Sequence, residues 1–531
     1  MDDVGELPED RPTGVGGEGP AVHPAPGVES GFDLILEEVG TVVDPITESV
    51  AFAPAVGIAV AGGPMVPLPS DAAAPRSAGS GNTLKAGLLQ AGPVAVAGMV
   101  VNVAAALVVV AVARLVSSRS YGEIAQLLGL FFILSMPGSA VLVGVVRRIT
   151  MLQTSGQAHL VRRWVARVHR ICLAGMVVEL GVVLVLRDWI AHQLGMANGG
   201  GVVLILMAAG VWILLCVDRG LLQAHRSYVQ LASNLLVEGG VRTALVILLV
   251  VGGFGVAGYA LGVLVSEVVA TVHAHWLANR SWSDPATAPV AVDGTAGPGP
   301  ADAGPDRAPA VALARRKLLA DVSAAFVGLA LLGLLQNVDV ILLGRLDHAQ
   351  VGPYAAISVA SKALVFGALA LGAYLLPEAT IRWNEGGHAI RQFGVTLLFL
   401  AVPSAVLLAI AVFVPRQFLT LIFSARLSTA APAFAPLVLA MMCLSFTVLV
   451  TNYLFGTGSR WIVLLLASGS GLAVVLVTVA DGRPDATAWA DLAVQAALAL
   501  AMAVAFLAIH RRHRGQHWSA RLGWQRIAGR G

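Results

Sequence analysis

Long apolar stretches recur along this chain, separated by short polar or glycine-rich breaks. Twelve of them follow Lys85, at roughly 87–113, 122–146, 168–187, 200–218, 228–250, 254–278, 316–344, 352–377, 391–414, 432–454, 460–480 and 487–510. Each is close to the length of about 20 residues that a helix needs to cross the hydrocarbon core of a bilayer. Runs such as LVILLVVGG and AALVVVAVA do not alternate, as the strands of a membrane barrel would. The pattern predicts an all-α polytopic membrane protein with about twelve transmembrane helices.

Composition sharpens that reading. The chain is 57% hydrophobic and 12% charged, where a soluble chain carries about 25% charge. Residues 1–80 depart from the pattern: they are rich in Gly, Pro and Ala, and acids outnumber bases. Their one apolar run, VAFAPAVGIAVAGG, is broken by Pro and Gly and too short to span, and no basic segment precedes it. We expect a disordered acidic cytoplasmic tail there. A Pro/Ala/Gly/Asp-rich segment, 280–311, reads as a flexible cytoplasmic linker. It divides the spans into an N-terminal six-helix lobe, 82–279, and a C-terminal one, 312–510, with a basic cytoplasmic tail, 511–531. The three cysteines, Cys172, Cys216 and Cys443, all fall inside apolar spans and read as buried apolar residues.

Charge placement gives an orientation. With both termini cytoplasmic, the inner flanks carry 24 Lys and Arg, counting Arg219 among them, against Arg114, Arg119, Arg187, Arg345, Arg416, Arg426 and Arg483 on the outer flanks. That asymmetry matches the positive-inside rule and predicts a multi-pass protein of the cell inner (cytoplasmic) membrane. The Arg- and Trp-bearing C-terminal tail reads as an anchor to anionic lipids rather than a nucleic-acid surface. The cluster RRWVARVHR (162–170) reads as an amphipathic interfacial segment.

The halves are nearly equal in length, and their first turns are alike. ARLVSSRSYGEIAQL (113–127) and GRLDHAQVGPYAAIS (344–358) share Arg-Leu, a polar stretch, a Gly and a nearby Ala. Six spans per half bring both halves into the membrane the same way, so parallel repeats with a site between them are expected. The turns RSYGEIAQ and QVGPYAAISVASK, together with QNVDVILLGRL, LLPEAT and DRGLLQAHRSYVQLASNLLVEGGVR, resemble the polysaccharide flippases of the multidrug/oligosaccharidyl-lipid/polysaccharide (MOP) exporter superfamily. The resemblance covers about 82–510. It implies two six-helix lobes around a central cavity, working by alternating access on polyprenyl-linked saccharides, or on drugs and metabolites exchanged for Na⁺ or H⁺.

Charges within spans are the candidate chemistry, because each costs about 2.5–3.5 kcal/mol at mid-membrane on insertion scales unless it is paired or wetted. They are Glu179, Glu238, Arg242, Glu267, Asp339 and Lys362. Asp339 and Lys362 lie equally far from the turn near Gln350, so in a helical hairpin they share a depth of roughly 17 Å. They are either a structural ion pair or a functional one, with Asp339 holding a coupling cation and Lys362 an anionic headgroup. Glu238 and Arg242, at i and i+4, share a helix face. They either neutralise one another or leave the Arg242 fork for a pyrophosphate. Glu179 and Glu267 have no local partner in sequence and are further ion-coupling candidates. Asn102, Gln336, Asn337 and Asn452 suit interhelical hydrogen bonds or sugar hydroxyls equally; Asn102 and Asn337 join Arg242 and Lys362 as substrate-binding candidates. His273 and His275 read as interfacial, with a metal or proton role as the lesser alternative. The loop DGRPDATAWAD (481–491) reads as a solvated turn.

No G-x-x-x-x-G-K-[ST], H-E-x-x-H or nucleophile elbow occurs, so neither P-loop ATP hydrolysis nor another enzymatic activity is expected, and no cofactor. The sequence thus predicts a lipid-linked saccharide flippase, coupled to H⁺ or Na⁺ and served by membrane lipids and glycan-assembly proteins. A drug or metabolite cation antiporter is the alternative. A glycan polymerase or ligase ranks below both, because every outer loop is short.

Overall fold

The computed structural model describes residues 80–154, 157–196, 199–283, 307–384, 390–456, 459 and 461–528. The acidic tail up to residue 79, and linker residues 284–306, lie outside the described residues. Among the described residues twelve long helices occur: α1 (Ser80–Leu115), α2 (Ser118–Thr154), α3 (Val161–Gln193), α4 (Gly200–Ala224), α5 (Tyr228–Leu249), α6 (Gly255–Ser283), α7 (Arg307–Leu346), α8 (Val351–Asn384), α9 (Ile390–Phe413), α10 (Phe434–Gly456), α11 (Ile462–Val479) and α12 (Pro484–Ala528). They coincide with the twelve apolar stretches, and no strand occurs among the described residues. A short helix, Pro415–Ile422, joins α9 to the turn before α10. Helix α6 runs beyond its span to Ser283, α7 begins at Arg307, and α12 continues through the basic tail to Ala528.

Among the described residues eleven stretches are long and apolar enough to cross a membrane, and the longest of them, Tyr228–Arg280, holds two helices, α5 and α6. They fold back on one another at VVGGF (250–254), where Gly253 takes φ +87°. A side chain at that φ would press on the neighbouring backbone, so glycine makes the reversal.

The same helix pairs pack in each half. In the first, α1 lies on α5, α2 and α6 flank α4, and α5 lies on α6; in the second, α7 lies on α11, α8 and α12 flank α10, and α11 lies on α12. Helices α3 and α9 take equivalent peripheral places against α4 and α10. Both expose wide apolar faces, including Val177, Val185 and Trp189 on α3 and Leu398, Phe399 and Val402 on α9. Faces of that extent suit lipid and not water.

The halves meet through α2, which packs along α7 and against α8. The equivalent contact, α1 against α8, has no comparable extent. The two like-sequenced turns touch directly. A Cβ on Gly352 would stand 2.0 Å from the Ser118 carbonyl oxygen, and one on Gly122 would stand 2.2 Å from Val351 Cγ1. Each turn is fastened by its own side chain: Ser117 Oγ accepts the Ser120 N–H at 3.1 Å, and Asp347 Oδ1 accepts the Ala349 N–H at 2.8 Å. Two arginines complete this end. Arg114 donates to the carbonyls of Leu421 and Ile422, while Arg426 donates to those of Ala113 and Arg114.

Candidate functional site

Each half holds a cluster of buried charges contributed by several helices. In the N-terminal half, α4 brings Arg219, α5 brings Asn234, Glu238 and Arg242, and α6 brings Ser266 and Glu267. The Arg219 and Arg242 guanidinium groups both bind Glu238, and Arg242 also binds Glu267. Arg219 Nε donates to Asn234 Oδ1 at 2.8 Å and its guanidinium stacks over Trp212. Arg242 Nε donates to Ser266 Oγ at 3.3 Å. Two arginines thus meet two glutamates, and the cluster carries no net charge when all four are ionised. That balance makes the charges tolerable in an apolar interior.

One sequence-based expectation changes here. Arg219 was expected on a membrane flank, yet it is 3% exposed, because α4 continues past the apolar stretch to Ala224 and turns this residue inward. Glu267 has no local partner in the sequence; the α5–α6 hairpin supplies Arg242 from across the turn. Arg242 is the one charged residue in the lining of a narrow cleft between α1, α2, α5 and α6, walled by Val101, Phe131, Phe132 and Tyr259.

In the C-terminal half, the expected pair is present. Lys362 Nζ lies 3.9 Å from Asp339 Oδ1 and donates to Asn337 Oδ1 at 3.2 Å. Ser358 Oγ donates to Asp339 Oδ2 at 3.4 Å. Asp339 is fully buried within its own half, while Asn337 packs against Gly129 of α2. A second acid joins them: Asp491 of α12, within electrostatic reach of both Asp339 and Lys362. Asp491 was expected in a solvated turn. Instead Pro484 starts α12, a position Pro favours, and Asp491 sits two turns in and is fully buried. Thr487, Asp491 and Gln495, at i, i+4 and i+8, present one face. Gln495 Nε2 donates to Asp491 Oδ1 and to the Leu335 carbonyl, each at 3.2 Å. Asp339 Oδ1, Asp491 Oδ2, Gln495 Oε1 and Thr487 Oγ1 are buried without a hydrogen-bond partner. When all three are ionised, two carboxylates against one ammonium leave this cluster a surplus negative charge.

The remaining candidates stand apart. Glu179 is half-buried on α3, its carboxylate against Gly210 of α4. Asn102 Oδ1, on α1, is buried without a hydrogen-bond partner. His275 approaches Asp218 of α4 and His169 of α3, a grouping the separate positions in sequence did not reveal.

No protein-family model matches the chain, and no curated protein matches it. Among solved structures, a multidrug resistance MATE family transporter of the MOP superfamily, in its inward-facing conformation, superposes with a TM-score of 0.56 at 14% identity, covering 76% of this chain and 95% of that one. A Vibrio cholerae MATE transporter in its bent form gives 0.48 at 13% identity, covering 91% and 99%. A MOP superfamily transporter from Pyrococcus furiosus gives 0.45 at 13% identity, covering 91% and 93%. The chain has the fold of the first of these.

Proposed function

We propose that this protein is an alternating-access membrane transporter that flips a polyprenyl-linked saccharide, driven by a cation held between α7, α8 and α12. The observation that carries the coupling half is a second buried carboxyl, Asp491, beside the Asp339–Lys362 pair, with its Oδ2 lacking a hydrogen-bond partner. Hard oxygen donors of this kind suit Na⁺ or a proton. The lipid half rests on the cleft beside α1, where apolar walls surround the Arg242 guanidinium; an anionic headgroup on a hydrocarbon tail fits it by exchanging for Glu238 or Glu267. Among the described residues the slight α1–α8 contact offers such a tail a lateral way out to the bilayer. The cleft holds about 40 Å³, little more than one water, so a headgroup enters only after the helices part. If the like-sequenced turns face outward, as the positive-inside count expects, the closed end is the outer one.

The surplus acid favours a second reading, in which the C-terminal cluster itself binds a cationic drug or metabolite. Complementation separates the two. Wild type restoring glycan export to a flippase-deficient strain supports the first reading; restoring only drug resistance to an exporter-deficient strain supports the second. Asp339→Asn and Asp491→Asn each reduce the ion-driven rate in proteoliposomes on the order of tenfold, the effect of about 1.4 kcal/mol of lost coupling. Wild-type rates in both variants would remove this cluster from the mechanism.

A further inference from the structure

We propose that His169, Asp218 and His275 form a site for a divalent transition-metal ion of the zinc class, clipping α3 to α4 and α6. His169 Nε2 lies 3.0 Å and His275 Nδ1 3.3 Å from the same oxygen, Asp218 Oδ1. All three ligand atoms lie within 4.8 Å of one another. Ligands about 2.0–2.1 Å from a tetrahedral zinc ion stand roughly 3.3 Å apart, so small movements close this set around one ion.

The tautomer argues for a cation at this point. His169 Nδ1 lies 3.0 Å from the Val165 carbonyl oxygen, which accepts only from an Nδ1–H. In the neutral ring Nε2 then carries a lone pair, and that lone pair confronts a carboxylate oxygen. A backbone carbonyl that fixes the far ring nitrogen is also the usual support of a metal-bound histidine. Asp218 is 1% exposed, and its Oδ2 is buried without a hydrogen-bond partner. An acid that deep, with unused oxygen and two imidazoles beside it, is a donor set for zinc, cobalt or nickel rather than for calcium or magnesium. The His275 side chain is 54% exposed, which leaves a path to solvent and a fourth position for water.

The consequence is mechanical. Helix α3 is peripheral and is held mainly by α4, so an ion shared by α3, α4 and α6 fixes its end to the rest of the half. The site is independent of which substrate is carried.

The test uses full-length protein in detergent, without a polyhistidine tag and stripped with a chelator, titrated with Co²⁺ and then Zn²⁺. Wild type shows the visible bands of four-coordinate Co²⁺, saturating at one ion per chain and bleached by Zn²⁺, and Zn²⁺ raises its Tm in proportion to log concentration. His169→Ala and His275→Ala lose the bands and the Tm response, while His273→Ala keeps both. Because His275 is exposed, its variant folds even where a change at Asp218 does not. Wild type without stoichiometric Co²⁺ binding overturns the proposal and leaves a proton between His169 and Asp218. Binding unchanged in both His169→Ala and His275→Ala overturns it equally.

Discussion

Glu238→Ala sharply lowers the amount of folded protein. Glu238 is 1% exposed and receives both Arg219 and Arg242. Its removal leaves Arg219 with the Asn234 carbonyl and the Trp212 face, and strands a surplus positive charge among α4, α5 and α6. Breaking a buried pair from one side costs about 3–5 kcal/mol, against a total stability of roughly 5–15 kcal/mol. Thermal unfolding in detergent, followed by size-exclusion chromatography, reads this as a large fall in Tm and in the monodisperse fraction. Removing charge from both sides, as in Glu238→Ala with Arg219→Leu, restores part of the loss, because no charge is then left alone. A single variant with wild-type Tm would show that the network contributes little to stability.

Gly352→Val parts the two halves at their shared turns and, on the proposed function, slows transport. The new Cβ would overlap the Ser118 carbonyl, which is backbone and cannot swing aside. Helix α8 must move away from α2, taking with it the contact of Gly122 with Val351. Overpacking of this kind costs about 1–3 kcal/mol, and a bias of that size shifts a two-state equilibrium by roughly 5–150-fold. Hydrogen–deuterium exchange over 113–122 and 421–426 rises in the variant, since the Arg114 and Arg426 contacts lose their register. If the protein is the alternating-access transporter proposed above, holding it away from its closed state slows turnover however well it folds. Unchanged exchange at those segments would mean the closed contact tolerates the side chain.

Both variants probe places that the sequence marked only in part. The turns around Gly122 and Gly352 were legible as a repeated pattern, but nothing along the chain said that they touch. The Asp339–Lys362 pair was legible because one hairpin joins the residues, and equal distance from a turn fixes equal depth. Glu238 and Arg242 were legible through helical spacing. Asp491 was hidden by its surroundings: DGRPDATAWAD looks like a solvated turn unless Pro484 is read as a helix start and Thr487, Asp491 and Gln495 as one face. Arg219 and Asp218 were hidden by the helix that carries them, which outruns its apolar stretch.

The sequence by itself determined twelve helices, their breaks, the doubling of the pattern and part of the roster of misplaced charges. It could do so because a bilayer admits only backbone that satisfies its own hydrogen bonds, so apolar length translates directly into helix. Tertiary structure alone decided which charges meet. Arg219 reaches Glu238, Arg242 reaches Glu267, and Asp491 reaches Asp339 only because packing sets helices side by side. Periodicity orients a helix face, but it does not name the neighbour that face will find.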